Sequence, residues 1–190
     1  MGASDFANLP HIGESVRRKE DYRFLTGAGN YTDDINLANQ RVAVFVRSPH
    51  AHAAIKSIDV SRAEAMPGVT KVFIGKDVEG KMGGLPCGWL ITSTDGQPMK
   101  VPPHPVLAQG KVRYVGDHVA MVVADTLDQA KNAAEAVVVD YDVLSAVVGV
   151  SDAAKATALH DAAPDNHCYK WAIGDKSQVD AAFASAAHVT

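Results

Sequence analysis

Residues 118–143 have the sequence HVAMVVADTLDQAKNAAEAVVVDYDV, in which two apolar runs flank a helical pattern. The first run, 118–124, is short enough for a buried strand. Thr126 and Gln129 have the spacing of a capping box, which predicts a helix start at this point. Apolar residues then recur at helical spacing on one face: Leu127, Ala130, Ala133, Ala134 and Val137. The second run, 137–143, alternates valine and tyrosine with aspartate and predicts a strand with one apolar face.

A strand, a helix and a strand in this order predict a right-handed crossover. We therefore expect an α+β fold with a small mixed β-sheet, helices packed mainly on one face, and a long irregular loop. Residues 111–115 form another apolar run. Gly116 and Asp117 separate it from the run that begins at His118, which predicts a two-residue hairpin.

The first half of the chain follows a similar plan. Val42–Val46 is an unbroken apolar run and predicts a strand buried on both faces, and 55–60 alternates like a half-exposed strand. Ser61 and Glu64 have capping-box spacing before a short helix that ends at Pro67-Gly68, and 69–74 predicts the next strand. These strands and the later ones supply one sheet in this interpretation.

The segment 76–105 separates the two halves and has neither a helical nor a strand period. It is rich in glycine and proline, and it is longer than the connectors usual in compact domains. It also contains a cluster of mainly apolar side chains, Leu85, Cys87, Trp89, Leu90 and Ile91. Because disordered segments are usually poor in such residues, we favour docking of this loop against another domain or subunit over plain disorder.

The expected organisation has three parts: an N-terminal arm over 1–20, a domain over 21–150, and a connector with the start of a following domain over 151–190. Residues 174–186 predict a capped helix. An apolar, β-branched run then begins at 187–190 and stops without a turn. We therefore expect the chain to be part of a longer protein.

Composition and charge exclude several classes of protein. Hydrophobic residues make up 47% of the 190 residues and charged residues 21%, which is typical of a globular domain and not of a disordered one. The net charge of -4 provides no basic face, so nucleic acid is not an expected partner. No apolar stretch or leader pattern predicts a membrane span or secretion, and we expect a cytoplasmic protein. The two cysteines are predicted to be free thiols.

Candidate chemistry is sparse. His50 and His52 would project from one side of a strand and could begin a metal site, but no further ligand follows at suitable spacing. Cys87 with His104 or His118 as base would make a nucleophile, yet nothing lowers the pKa of the thiol or supplies an orienting group. Packing or interface roles are the favoured interpretation of these residues.

Glycines and carboxylates are equally uninformative about catalysis. Gly27 and Gly29 lack the third glycine and the strand-to-helix context of a dinucleotide loop, so a turn is predicted. Four carboxylates are interpreted as solvated: Asp33, Asp34, Asp140 and Asp142. No acid and base pair is predicted.

Several motifs nevertheless resemble one enzyme family. In the first half they are RFLTGxGxYxDD at 23–34, VRSPHAHA at 46–53 and PGV at 67–69, and in the second half KVRYVGDHVA at 111–120, AAE at 133–135 and VDYDxLxAVV at 139–148. Over 12–190, the chain resembles the N-terminal part of the large, molybdopterin-binding subunit of the molybdenum hydroxylases. It is most similar to the carbon monoxide dehydrogenase and aldehyde oxidase branch, in the segment called the aldehyde oxidase and xanthine dehydrogenase α/β hammerhead domain.

The resemblance implies a parent enzyme that hydroxylates carbon centres with oxygen from water. It also implies a molybdenum-pterin cofactor in later domains of that subunit, and [2Fe-2S] clusters and FAD on partner subunits or domains. No residue of this chain inherits a catalytic, cofactor-binding or metal-binding role from the family. The candidate residues for the substrate funnel or for an interface are Leu85, Cys87, Trp89, Leu90 and Ile91.

The prediction is thus a structural domain that scaffolds the molybdopterin domains and helps to wall the substrate funnel, inactive when isolated. Its expected partners are the remaining domains of the large subunit and the iron-sulfur and flavin subunits. A free-standing α/β module that binds a ligand or a protein is the alternative. A Cys-His hydrolase built on Cys87 is a third, weaker hypothesis.

Overall fold

The computed structural model describes residues 15–190 and divides the chain into two compact units, one ending at Gln40 and one spanning Arg41–Thr190. The predicted domain boundaries after residues 20 and 150 remain predictions. Residues 1–14 of the expected arm lie outside the described part.

The unit that ends at Gln40 contains helix α1, Asp21–Leu25, and a 3-10 turn, Thr32–Asp34. Gly27 follows α1 with a φ of 73°, and the N–H groups of Gly27 and Ala28 donate to the carbonyls of Phe24 and Arg23. This is the Schellman pattern that ends a helix at a left-handed residue. The prediction of a turn at the glycines, instead of a nucleotide loop, is confirmed.

The second unit contains six strands and five helices within its described residues. The strands are β1 Val42–Arg47, β2 Ala53–Asp59, β3 Val69–Ile74, β4 Lys111–Val112, β5 His118–Ala124 and β6 Val138–Val143. The helices are α2 Ser61–Glu64, α3 Gly75–Val78, α4 Leu127–Glu135, α5 Val150–Ala153 and α6 Lys176–Ser185.

The strands form two three-stranded antiparallel sheets, in the orders β1-β5-β3 and β4-β2-β6. In the first sheet Val122 of β5 pairs with Val44 of β1 on one side and Val72 of β3 on the other. In the second sheet Ile55 of β2 pairs with Tyr141 of β6. The α+β class is confirmed, but the single mixed sheet was wrong, because all strand pairs are antiparallel and divide between two sheets.

The predicted crossover and hairpin are corrected for the same reason. Strands β5 and β6 flank α4 in sequence but belong to different sheets, so no parallel crossover forms. Strand β4 pairs with β2 instead of β5, which rules out a hairpin around Gly116. Gly116 has a φ of 92° at the third position of a turn that the Asp117 N–H closes by donating to the Tyr114 carbonyl. Such a turn redirects the chain from one sheet to the other.

Helices α2 and α4 contribute to a core on the first sheet. Its buried members are Ala63, Val72, Ala120, Val122 and Ala133. Ala134 and Val137 pack against it, as the helical spacing predicted, whereas Leu127 is exposed. A second core belongs to the other sheet, where Val139 and Tyr141 of β6 pack on buried residues that include Ala53 and Val112. Each sheet therefore has its own apolar cluster.

Two of the three predicted helix starts have the expected caps. Thr126 Oγ1 accepts from the Gln129 N–H at 3.3 Å and Gln129 Oε1 accepts from the Thr126 N–H at 3.1 Å, and Asp175 caps α6 through the N–H groups of Ser177 and Gln178. At α2 the expected pair of Ser61 and Glu64 does not form. Asp59 Oδ1 instead accepts from the Ser61 N–H, and Glu64 binds Lys71.

None of the helices described between residues 15 and 190 is long and apolar enough to cross a bilayer.

Candidate functional site

The irregular loop is more structured than its sequence suggested. Helix α3 begins before it and ends within it, at Val78. Further on, Thr92 and Pro98 form an isolated antiparallel bridge, and the Ser93 N–H donates to the Gln97 carbonyl at 2.8 Å. Gly96, with a φ of 78°, makes the intervening turn. Residues 92–98 thus form a small hairpin inside the loop.

A segment near residue 170 holds this hairpin in place. The N–H groups of Thr94 and Lys100 donate to the carbonyls of Lys170 and Cys168 at 2.8 and 2.9 Å. Ser93 is buried, and its hydroxyl both accepts from the Lys170 N–H at 3.0 Å and donates to the Lys170 carbonyl at 3.2 Å. We call residues 92–100 together with 168–170 the clamp. Because its bonds join distant parts of the chain, the clamp fixes the end of the loop.

An ion pair reinforces the clamp at its surface. Lys100 Nζ lies 2.7 Å from Asp165 Oδ1. The hydrogen bond from Lys100, followed by one from the His167 N–H, lowers the pKa of Asp165 to about 2. Both side chains are about half exposed, so solvent screens their attraction and we assign the pair only a small share of the stability.

An aromatic groove lies beside the clamp and contains three of the predicted funnel residues. Trp89, Leu90 and Ile91 line it together with Thr92, Tyr169 and Trp171, and its volume is about 480 Å³. Trp89 and Trp171 are 80% and 61% exposed, although indole rings are usually largely buried. The groove therefore offers a large apolar surface to a ligand or to another polypeptide.

Sequence reasoning missed Thr92 and, outside the loop, the two aromatic groove residues Tyr169 and Trp171. The two aromatic residues lie near the C-terminal end of the clamp, about 80 positions after Trp89, as read from the residue numbers. Their aromatic character in a polar stretch was the only available signal. Nothing local indicated that they approach the loop, because the contact depends on hydrogen bonds across the clamp.

The other two predicted residues, Leu85 and Cys87, are exposed but do not line the groove. The Leu85 N–H donates to the His104 carbonyl at 2.8 Å, which ties the two ends of the loop together. Gly84 is required at this approach, since a Cβ there would lie 2.6 Å from the same carbonyl oxygen. Three of the five predicted residues therefore line the groove, and the other two precede it in the sequence.

The three groups of the Cys-His hypothesis have different partners in the described structure. Cys87 Sγ donates to the Trp89 carbonyl at 3.2 Å, and His104 Nε2 lies 3.3 Å from the Tyr114 hydroxyl. His118 stacks on Phe45 with ring centroids 4.4 Å apart. Burial, together with the nearby Arg47 charge, lowers the pKa of His118. No described hydrogen bond joins the thiol to an imidazole, so the geometry does not support a hydrolase.

The two histidines of the metal hypothesis precede β2 instead of lying on a strand. His52 is buried, and its Nδ1 lies 2.9 Å from the Ser145 carbonyl. His50 packs edge-on against Tyr141 at 5.0 Å. Over residues 15–190 there is no group of three or more His, Cys, Asp or Glu side chains that could hold a metal ion. Within the described residues, His50 and His52 therefore do not belong to a candidate metal site.

Several known proteins are similar to this chain in sequence. The family model for the aldehyde oxidase and xanthine dehydrogenase a/b hammerhead domain matches residues 26–145. The chain is 38% identical to the carbon monoxide dehydrogenase large chain of Afipia carboxidovorans, over 94% of this chain and 22% of that one. It is also 38% identical to the nicotine 6-hydroxylase large subunit of Paenarthrobacter nicotinovorans, over 94% of this chain and 21% of the other.

A solved structure shows the same fold. The reconstituted CO dehydrogenase from Oligotropha carboxidovorans superposes with a TM-score of 0.71 and 35% identity, covering 93% of this chain and 22% of the other. The chain spans about a fifth of the length of the relatives that it matches.

Proposed function

Because this chain belongs to the aldehyde oxidase and xanthine dehydrogenase a/b hammerhead domain family, we propose that it acts as a domain of the large subunit of a molybdenum-dependent hydroxylase. The main support for this proposal is the difference in length between this chain and its relatives. Identity of 38% extends over 94% of this chain but only 22% of a relative. A chain that matches about a fifth of a longer relative along nearly all of its own length corresponds to one of several domains of that relative.

In this proposal the domain is a scaffold, and it is not the site of the chemistry. Other domains of the large subunit hold the molybdenum-pterin cofactor, and partner subunits or domains hold [2Fe-2S] clusters and FAD. The protein is proposed to work in the cytoplasm. Carbon monoxide, an N-heterocycle such as nicotine, or an aldehyde is the substrate class that the names of the relatives suggest.

The aromatic groove and its neighbours are the proposed contribution of this domain to the funnel or to an interface. Trp89, Leu90 and Ile91 line the groove, and Leu85 and Cys87 lie exposed just before it. Covering such side chains contributes roughly 1.5–3 kcal/mol for each large one, provided that a facing surface exists. Another domain of the subunit, or the substrate on its way in, would supply that surface.

The test is to express the gene that encodes this chain with its neighbouring reading frames and to purify the product through a tag on this chain. We expect stoichiometric molybdenum and oxidation of one of the three substrate classes with a dye as electron acceptor. Purification of this chain alone, without molybdenum or activity, would contradict the proposal and support the alternative of a free-standing binding module.

A further inference from the structure

A cavity of about 420 Å³ lies apart from the aromatic groove, where residues 102–108 and 111–117 of the second unit converge with His160 and Cys168. Its apolar wall consists of Pro102, Pro103, Pro105 and Ala108. A polar wall carries polar and charged groups from 111–117 and from His160. The volume lies in the range of small-molecule pockets, and the mixture of apolar side chains with a few polar groups is typical of them.

The charges on the polar wall are unbalanced. Lys111 and Arg113 are two residues apart, which in an extended segment directs both side chains to one side. Among residues 15–190, no carboxylate lies within salt-bridge distance of either cation. Asp117 is the single carboxylate in the lining and is buried, and its Oδ2 accepts from the backbone N–H of Arg113 at 3.1 Å. One positive charge therefore remains uncompensated.

Arg113 is held in a fixed position. Its Nε donates to the carbonyl of Leu159 at 2.8 Å, and this bond crosses 46 positions of the chain. The two terminal Nη groups have no hydrogen-bond partner within the described residues. An oriented guanidinium with both Nη groups available is suited to bind the two oxygens of a carboxylate.

Two further polar side chains of the lining, His160 and Tyr114, are neutral. Burial, with the nearby Arg113 charge, lowers the pKa of His160, so this imidazole is uncharged near neutral pH. Tyr114 and His104 contact each other edge-on, with the hydroxyl 3.3 Å from Nε2. Burial raises the pKa of Tyr114, which keeps the phenol protonated. The polar wall thus holds two cations, one anion and the neutral side chains of His160 and Tyr114.

We propose that this cavity binds a small organic monocarboxylate, with its carboxylate on Arg113 and Lys111 and its apolar body against the prolines. The single uncompensated charge matches a monoanion, and the buried Asp117 disfavours a phosphate dianion through like-charge repulsion. The site is distinct from the aromatic groove and does not depend on the proposed function of the parent subunit.

Benzoate is the probe, titrated into the 190-residue chain and followed by calorimetry and by the NMR signals of Ala108 and His160. We expect saturable binding that shifts both signals. Arg113→Gln should weaken it at least tenfold and Lys111→Gln severalfold, because each removes a charge-assisted hydrogen bond. Lys131→Gln is the matched control, since Lys131 is exposed on α4 outside the cavity, and it should leave the affinity unchanged.

Benzamide and inorganic phosphate separate the contribution of the charge to binding from that of the apolar ring. Benzamide keeps the ring and lacks the charge, and phosphate keeps the charge and lacks the ring, so both should bind more weakly than benzoate. Equal affinity for benzamide, equal affinity in Lys111→Gln, or no binding of benzoate at millimolar concentration would overturn the proposal. If Arg113→Gln does not fold, the Lys111→Gln variant, altered at an exposed side chain, still decides it.

Discussion

The side chain of Ser93 exchanges two hydrogen bonds with the backbone of Lys170, 77 positions later in the chain. The hydroxyl is buried and belongs to the clamp, which closes the end of the irregular loop. This contact fixes one end of the loop within the chain. Several residues of 92–100 are hydrogen-bonded to the segment near residue 170, whereas every residue of 81–90 is exposed, although the Leu85 N–H bonds to the His104 carbonyl.

Ser93→Ala should lower the free energy of unfolding by about 1 kcal/mol, because the Lys170 N–H loses its acceptor and Lys170 is exposed enough for water to replace it. Urea denaturation measures this change. Amide exchange should accelerate in 92–100 and 168–170 and remain unchanged in β5. Ser151→Ala, at an exposed serine of α5, is the control and should have little effect. Unchanged exchange in the clamp would contradict the role of Ser93.

Acid should weaken the clamp through Asp165. Its folded-state pKa of about 2 lies below the ordinary value of 3.8, so the ionised carboxylate stabilises the folded protein above pH 3.8. This contribution disappears as the pH falls from about 3.8 to about 2. The difference in melting temperature between the wild type and Asp165→Asn should therefore be present at pH 5 and vanish near pH 2. Asp161→Asn, at an exposed aspartate without a described hydrogen bond, should not show this pattern.

Trp89→Ala should change the free energy of unfolding of the 190-residue chain by less than about 0.5 kcal/mol, since the side chain is 80% exposed. In the proposed large subunit, the same variant should weaken domain association or substrate entry. Val122→Ala is the contrast, because Val122 is fully buried and its truncation should cost about 2 kcal/mol. A large loss of stability for Trp89→Ala in the chain alone would show that the groove packs against its own domain.

The two cysteines should titrate as two free thiols in denaturant without reductant. In the folded chain Cys87 should react faster with a thiol reagent than Cys168, because Cys87 is exposed and Cys168 is half-buried. Cys87→Ser should remove the fast phase and Cys168→Ser the slow one. Fewer than two thiols, restored by reduction, would contradict this prediction.

Element positions could be predicted where the signal is local. The strands over 42–47, 69–74 and 118–124 and helix α4 lie close to where periodicity placed them, and the cap of Thr126 forms as the spacing with Gln129 indicated. The prediction of a capping box at α2 was wrong, because Glu64 is bound by Lys71 from β3. At α2 an ion pair with a residue of β3 forms in place of the local hydrogen bond. The spacing of Ser61 and Glu64 in the sequence gives no information about this alternative partner.

The candidate site was predictable in part. An apolar cluster inside a glycine- and proline-rich loop identified Trp89, Leu90 and Ile91 as unusual, and all three line the groove. Tyr169 and Trp171 were missed, because only the clamp brings them to the loop. The cavity with Arg113 was missed for the same reason, since its walls come from segments that are distant in sequence.

The residue pattern was enough to locate the strands, the main helix and the exposed apolar loop, and the motifs were enough to identify the family. These features depend on the order of neighbouring residues, because side-chain period and helix caps act over a few positions. Three other features became visible only in the folded chain: β5 and β6 enter different sheets, β4 pairs with β2, and Ser93 bonds to Lys170. Strand pairing and long-range hydrogen bonds depend on which distant segments pack together. That packing depends on the burial of apolar side chains throughout the chain.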